Sequence, residues 1–152
     1  EEYLDFLSRL YTFSDLLVRT IFTTATGIPL EYDHKTRNYP DFVKFVEECQ
    51  HLTDSFKEKG WRIEPTFLTL PFVFNELLQQ ETTKNKDLIG KGKKFAETVK
   101  PLIELRNKTI VGHGLKGCSK NEILNELKKE GMQDLKDLLK IVEETVDAVK
   151  RK

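Results

Sequence analysis

The chain has 152 residues, 38% of them hydrophobic and 33% charged, with ten Phe. That length fits one domain, and the aromatic content excludes an intrinsically disordered chain. Lys plus Arg number 25 and Asp plus Glu number 25, a zero balance that excludes nucleic-acid binding by bulk electrostatics alone and leaves only local patches for that purpose.

Residues from Tyr3 to about Ala25 predict a long helix, because Leu4, Leu7, Leu10, Phe13, Leu17 and Ile21 recur at helical spacing. Phe6, Leu16 and Phe22 widen the apolar stripe enough for two packing neighbours. Gly27-Ile28-Pro29 ends it, and Ile28 to Tyr39 has no period and reads as a loop. Pro40 suits a first helical position. A helix from about Asp41 to Lys59 should turn Phe42, Phe45, Val46, Cys49, Leu52 and Phe56 inward, with Gly60 closing it. Trp61 and Ile63 lie on a short connector. The apolar run from Phe67 to Gln80 contains Pro71, so a helix should start near that proline. Glu81 to Asp87 is polar and expected to be exposed. Leu88 to about Gly112 predicts the next helix, with a kink or restart near Lys100 because Pro101 lies inside it. Ser119-Lys120-Asn121-Glu122 matches a capping box, opening a short helix to about Glu130 that Gly131 closes. The last helix, Met132 to Val149, places Leu135, Leu138, Leu139, Val142, Val146 and Val149 on one face. No segment alternates with a period of two, so the predicted fold class is all-α, a bundle of five or six helices.

Charge is segregated along the chain. The first 33 residues carry six acids against Arg9 and Arg19, whereas Lys84 to Lys100 carries six Lys against Asp87 and Glu97, which points to facing surfaces. Cys49 and Cys118 lack metal-ligand spacing and read as reduced thiols of a cytoplasmic protein. No run of about 18 apolar residues is present, so no membrane association is expected. The chain opens on Glu1-Glu2 without an initiator Met and runs almost directly into a periodic segment, so we expect residues 1–152 to be a single domain excised from a longer protein.

The stretch Glu104-Leu105-Arg106-Asn107-Lys108-Thr109-Ile110-Val111-Gly112-His113-Gly114 carries the chemistry. Seven helical steps fall only about 20° short of two turns, so Arg106 and His113 share one face. Backward along that face lie Phe95, Val99 and Leu102, and Ile110 lies between. The two glycines weaken the helix at His113. A straight helix separates the two Cα atoms by roughly 10 Å, and a loosened last turn shortens the gap between side chains. Metal-independent RNA cleavage needs a base for the 2′-hydroxyl, an acid for the leaving 5′-oxygen and a positive group for the phosphorane. Histidine serves near neutral pH, arginine grips phosphate oxygens, and Asn107 can orient ribose or imidazole. One such set is half a site, and a symmetric dimer would supply two.

Arg106-Asn107 followed by His113 resembles the motif of the HEPN ribonucleases (higher eukaryotes and prokaryotes nucleotide-binding domain). The longer run Leu105-Arg106-Asn107 … Gly112-His113-Gly114 looks like the accessory ribonucleases of type III CRISPR systems. The match covers about ten residues and the general helical architecture. The resemblance implies a HEPN-like bundle that forms a homodimer and cleaves single-stranded RNA to 2′,3′-cyclic phosphate and 5′-hydroxyl ends. It makes Arg106, Asn107 and His113 catalytic and requires no cofactor or metal. It also implies an N-terminal sensor domain, outside this chain, that binds cyclic oligoadenylate. Two other readings share these features: a non-catalytic helical dimerisation or RNA-binding module, and a HEPN toxin paired with an antitoxin.

Plainer roles compete for individual residues. His113 alone would suit a helix C-terminus, and Arg106 alone could snorkel from an apolar face. His34 and His51 have no partner at useful spacing and read as surface residues. Lys91, Lys93 and Lys94 form a basic patch for RNA backbone or for the acidic first helix. Trp61 and Phe67 suit base stacking, with core packing the stronger expectation.

Overall fold

The computed structural model describes residues 2–107 and 120–151, the side chains of residues 2–4 and 106 excepted. Its described residues form seven helices: α1 (Glu2–Thr26), α2 (Pro40–Glu47), α3 (Gln50–Glu58), α4 (Leu70–Gln79), α5 (Lys86–Asn107), α6 (Lys120–Lys129) and α7 (Leu135–Lys150). Among them there is no strand beyond one antiparallel bridge, Asp33 with Asn38, inside the predicted loop. The all-α class stands, and the helix number exceeds the five or six expected.

The extra helix comes from a break in the predicted 41–59 segment. Cys49 leaves the helix with φ −112° and ψ 102° and starts α3. Neither Gly nor Pro marks the spot. The Thr53 hydroxyl donates to the carbonyls of Val46 (2.9 Å) and Cys49 (3.2 Å), which also accept the backbone N–H groups of Cys49 and Thr53, so one side chain ties the two helices together across the break. The two short helices can then fold Phe42, Val46, Leu52 and Phe56 into one core, all four of them buried.

α5 is the central element and packs against α1, α4, α6 and α7. Its Leu88, Ile89, Phe95, Ala96, Val99, Leu102 and Ile103 are buried, each large side chain contributing about 1.5–3 kcal/mol relative to exposure. Of the kink or restart expected near Lys100, the restart does not occur, and the helix is continuous through Pro101. Pro101 has no N–H to give the Glu97 carbonyl, and the packing on four neighbours outweighs that loss. α1 lies along α5 with Leu7, Leu10, Leu17, Val18, Ile21 and Phe22 buried. Two residues expected in its apolar stripe face outward instead, Phe13 at 38% and Leu16 at 62% exposure. Among the described residues the acids of α1 pair within the helix and not with the α5 lysines: Asp5 with Arg9 at 2.9 Å and Asp15 with Arg19 at 3.0 Å.

α3 ends on a Schellman cap. Gly60 has φ +67°, its N–H reaches the Lys57 carbonyl, and the Trp61 N–H reaches the Phe56 carbonyl. The Phe56 and Trp61 rings meet edge to face at 5.7 Å, the apolar contact that accompanies this cap. Gly131, at φ +79°, repeats the motif after α6, with Met132 bonded back to Leu127. α7 starts later than expected because Asp134 caps it, accepting from the N–H groups of Lys136 and Asp137. Its buried residues are Leu138, Thr145 and Ala148, while Leu139 is 58% exposed, so the inner face is rotated from the predicted one.

Candidate RNA-binding groove and the end of the central helix

Arg106 and Asn107 are the last two described residues of α5. The buried run Phe95, Val99, Leu102 brings the helix to this end in the register read from sequence, and Arg106 follows Leu102 by one turn. Asn107 is exposed. His113, with Gly112, Gly114, Cys118 and the Ser119 cap, lies outside the described residues, as does the Arg106 side chain. The structure thus places Asn107 and the backbone of Arg106, and the Arg106-to-His113 pairing stays a reading of sequence.

Asn107 stands at one end of a groove of about 820 Å³, within the size range of ligand clefts. One wall is the outer stripe of α5: Lys93, Glu97, Lys100, Glu104 and Asn107. The other comes from α4 through Pro71, Phe72 and Asn75, and from the flanking connector through Lys59, Trp61 and Thr66. The walls are tied together by Lys93, whose Nζ donates to Asn75 Oδ1 at 3.0 Å. Lys93 also lies 3.7 Å from Glu97, and Lys100 lies 3.9 Å from Glu104. These are exposed or half-exposed pairs in water and weak ones.

The connector is positioned by its own hydrogen bonds. The Thr69 hydroxyl, which is buried, donates to the Glu64 carbonyl. Asp15 of α1 accepts from the Phe67 N–H at 3.0 Å while its other oxygen holds Arg19. Arg19 in turn reaches the Tyr39 hydroxyl and lies 5.4 Å from that ring's centroid. One buried-edge network therefore fixes the loop before α2 and the turn before α4 on the same helix.

Of the two aromatics weighed for base stacking, Phe67 is in the core at 7% exposure and Trp61 is half-buried on the groove wall. Lys59 and Phe72 were not singled out by sequence, yet Lys59 Nζ lies 5.2 Å from both the Trp61 and the Phe72 ring centroids. The signal that pointed there was Gly60 after an amphipathic helix, since a Schellman cap brings the following residue back over the helix end. His34 is exposed and meets the Tyr32 ring edge to face. His51 is exposed as expected, but it does have a partner: its Nδ1 lies 2.7 Å from Glu76 Oε2, joining α3 to α4. Among the described residues no three His, Cys, Asp or Glu gather as a metal site, and no helix is long and apolar enough to cross a membrane. No family model, curated protein or solved structure matches the chain.

Proposed function

We propose that the chain is a HEPN-type endoribonuclease domain that cleaves single-stranded RNA without metal, leaving 2′,3′-cyclic phosphate and 5′-hydroxyl ends. The observation that carries this reading is the Arg106-Asn107 … His113 register in an all-helical chain. The position of Asn107 at the mouth of a lysine-rimmed groove adds support. In the proposed mechanism, His113 moves the proton at the 2′-hydroxyl or the 5′-oxygen. Arg106 holds the non-bridging phosphate oxygens, and Asn107 orients the ribose or the imidazole. Two copies of the chain form a composite site with two histidines and two arginines, so one can act as base and the other as acid. The setting we propose is cytoplasmic, in type III CRISPR defence, with cyclic oligoadenylate acting through a sensor domain outside this chain.

The test is cleavage of a labelled single-stranded RNA in EDTA, comparing wild type with His113→Ala and Arg106→Ala. Each substitution is expected to lower the rate by at least about 100-fold, the scale of a lost general acid–base group. Equal activity of His113→Ala and wild type removes His113 from the mechanism. The groove also suits a second reading, an RNA-binding module without turnover. Tight binding with RNA left intact after long incubation at high protein would select that reading.

A further inference from the structure

We infer that the groove between α4 and α5 is a nucleobase subsite, in which the Trp61 and Phe72 rings receive a base of single-stranded RNA and Lys59 meets its backbone. The inference rests on the ribonuclease reading for the chemistry at the Asn107 end, and it adds a substrate-holding element that the Arg–His motif does not supply.

Three observations carry it. The first is the ring geometry. Trp61 stands perpendicular to Phe72, with centroids 5.8 Å apart at 89°. An aromatic corner of this kind offers a ring face and a ring edge at one place, the surroundings a planar base uses in stacking. The second is Lys59. Its ammonium sits over both rings, and among the described residues no carboxylate lies within ion-pair distance of it. A cation–π contact at an exposed site is weak. An incoming base can take the ring surface while the ammonium turns to the adjoining phosphate, exchanging one weak contact for two stronger ones. The third is continuity. The outer stripe of α5 runs from Lys93 to Asn107 along the same groove, a span of about 21 Å at 1.5 Å per residue. That is longer than one nucleotide, so RNA held at Trp61 can extend to the helix end where Arg106 and Asn107 lie.

Charge selects RNA over an apolar peptide as the occupant. The groove's acids, Glu97 and Glu104, each already face a lysine, which leaves Lys59 as the surplus cation among its described residues. A single surplus charge also explains how a chain of zero net charge can hold RNA, since ring stacking carries the affinity and electrostatics only aligns the strand.

Trp61 is the sole tryptophan, so its emission reports this site directly. The experiment titrates a short, mixed-sequence single-stranded RNA into the full chain carrying His113→Ala, which keeps the RNA intact. The expected result is saturable quenching of Trp61. Lys59→Ala should weaken binding several-fold, and Trp61→Leu, read by anisotropy of a labelled RNA, about 5- to 100-fold. Lys59 is exposed, so its substitution leaves the fold intact even if Trp61→Leu disturbs packing. Saturation of the RNA without a change in Trp61 emission, with Lys59→Ala binding as the parent does, overturns the inference. Equal quenching and affinity with a base-free polyphosphate overturns it too, because only a backbone site would then be present. A parallel cleavage assay with His113 intact separates the two readings. Cleavage that is unaffected by Lys59→Ala in both KM and kcat sinks the groove and spares the nuclease. Trp61 quenching without any cleavage by the wild type sinks the nuclease and spares the groove.

Discussion

Ser14 is fully buried in α1, and its hydroxyl has no hydrogen-bond partner among the described residues. A buried donor left unpaired costs about 1–3 kcal/mol. Ser14→Ala removes the polar group without opening a cavity, so it is expected to raise the melting temperature by about 2–12 °C, at about 2–4 °C per kcal/mol. A lowered Tm would show that the hydroxyl is satisfied after all. Asp33 makes a second residue-scale prediction. The Lys35 backbone N–H, at 2.8 Å from Oδ1, holds the Asp33 carboxyl below the usual carboxylate range. A depressed folded pKa means that the turn's support is present above the ordinary carboxylate value and is lost as pH falls through the depressed one. The Lys35 amide resonance should therefore shift in an acid titration with a midpoint below that of an unperturbed aspartate. By contrast, the contact of His51 with Glu76 joins an exposed ring to a carboxylate, and His51→Gln is expected to change stability by less than about 1 kcal/mol.

At the scale of the helices, Gly92 decides how closely α5 meets α1 and α4. A Cβ placed there would lie 2.9 Å from Ile21 Cγ2 and 3.2 Å from both Ile21 Cδ1 and Phe74 Cε2. Ile21 is β-branched and stiff, and both it and Phe74 are fully buried, so neither can yield. Alanine gains about 1 kcal/mol of helix propensity over glycine, but overpacking costs about 1–3 kcal/mol. Gly92→Ala is expected to lower the urea midpoint, and a raised midpoint would mean that the two helices can separate at little cost. The same element carries the proposed chemistry at its end. A helix packed against four others carries Arg106 and Asn107, an anchoring that suits a site that must position phosphate.

For the whole molecule, the composite-site proposal has a consequence that one chain cannot meet. If two copies share one cleft, specific activity should rise with protein concentration through the dimer dissociation constant. Light scattering should then find the dimer over the same concentration range. Constant specific activity from a species that scatters as a monomer throughout would remove the composite site. Zero net charge leaves no long-range repulsion between copies to oppose association.

Much of this architecture was legible in the residues themselves. Apolar spacing marked the helices, Pro40 and Pro71 marked two starts, and Gly27, Gly60 and Gly131 marked three ends, because these signals act over one or two turns of chain. The Phe95–Val99–Leu102 stripe gave the inward face of α5 for the same reason. Legibility failed where two local answers were equally good. α7 has apolar residues at Leu138 and Leu139, which lie about 100° apart on the helix, and only the neighbours α1, α5 and α6 decided that Leu138 would be the buried one. Phe13 and Leu16 are apolar enough to be inside, but no element covers them among the described residues. The break at Cys49 has no local breaker, since neither Gly nor Pro marks it, and the apolar spacing on its two sides reads as one continuous stripe. The candidate site divides along the same line. Arg106, Asn107 and His113 are readable as a motif in which His113 follows Arg106 by seven positions, and because His113 lies outside the described residues their relation stays a reading of sequence. The cluster of Lys59, Trp61 and Phe72 draws on two separate segments, and only the packing of α4 against α5 sets it in the groove that leads to Asn107, since no rule of local chain geometry reaches across that distance.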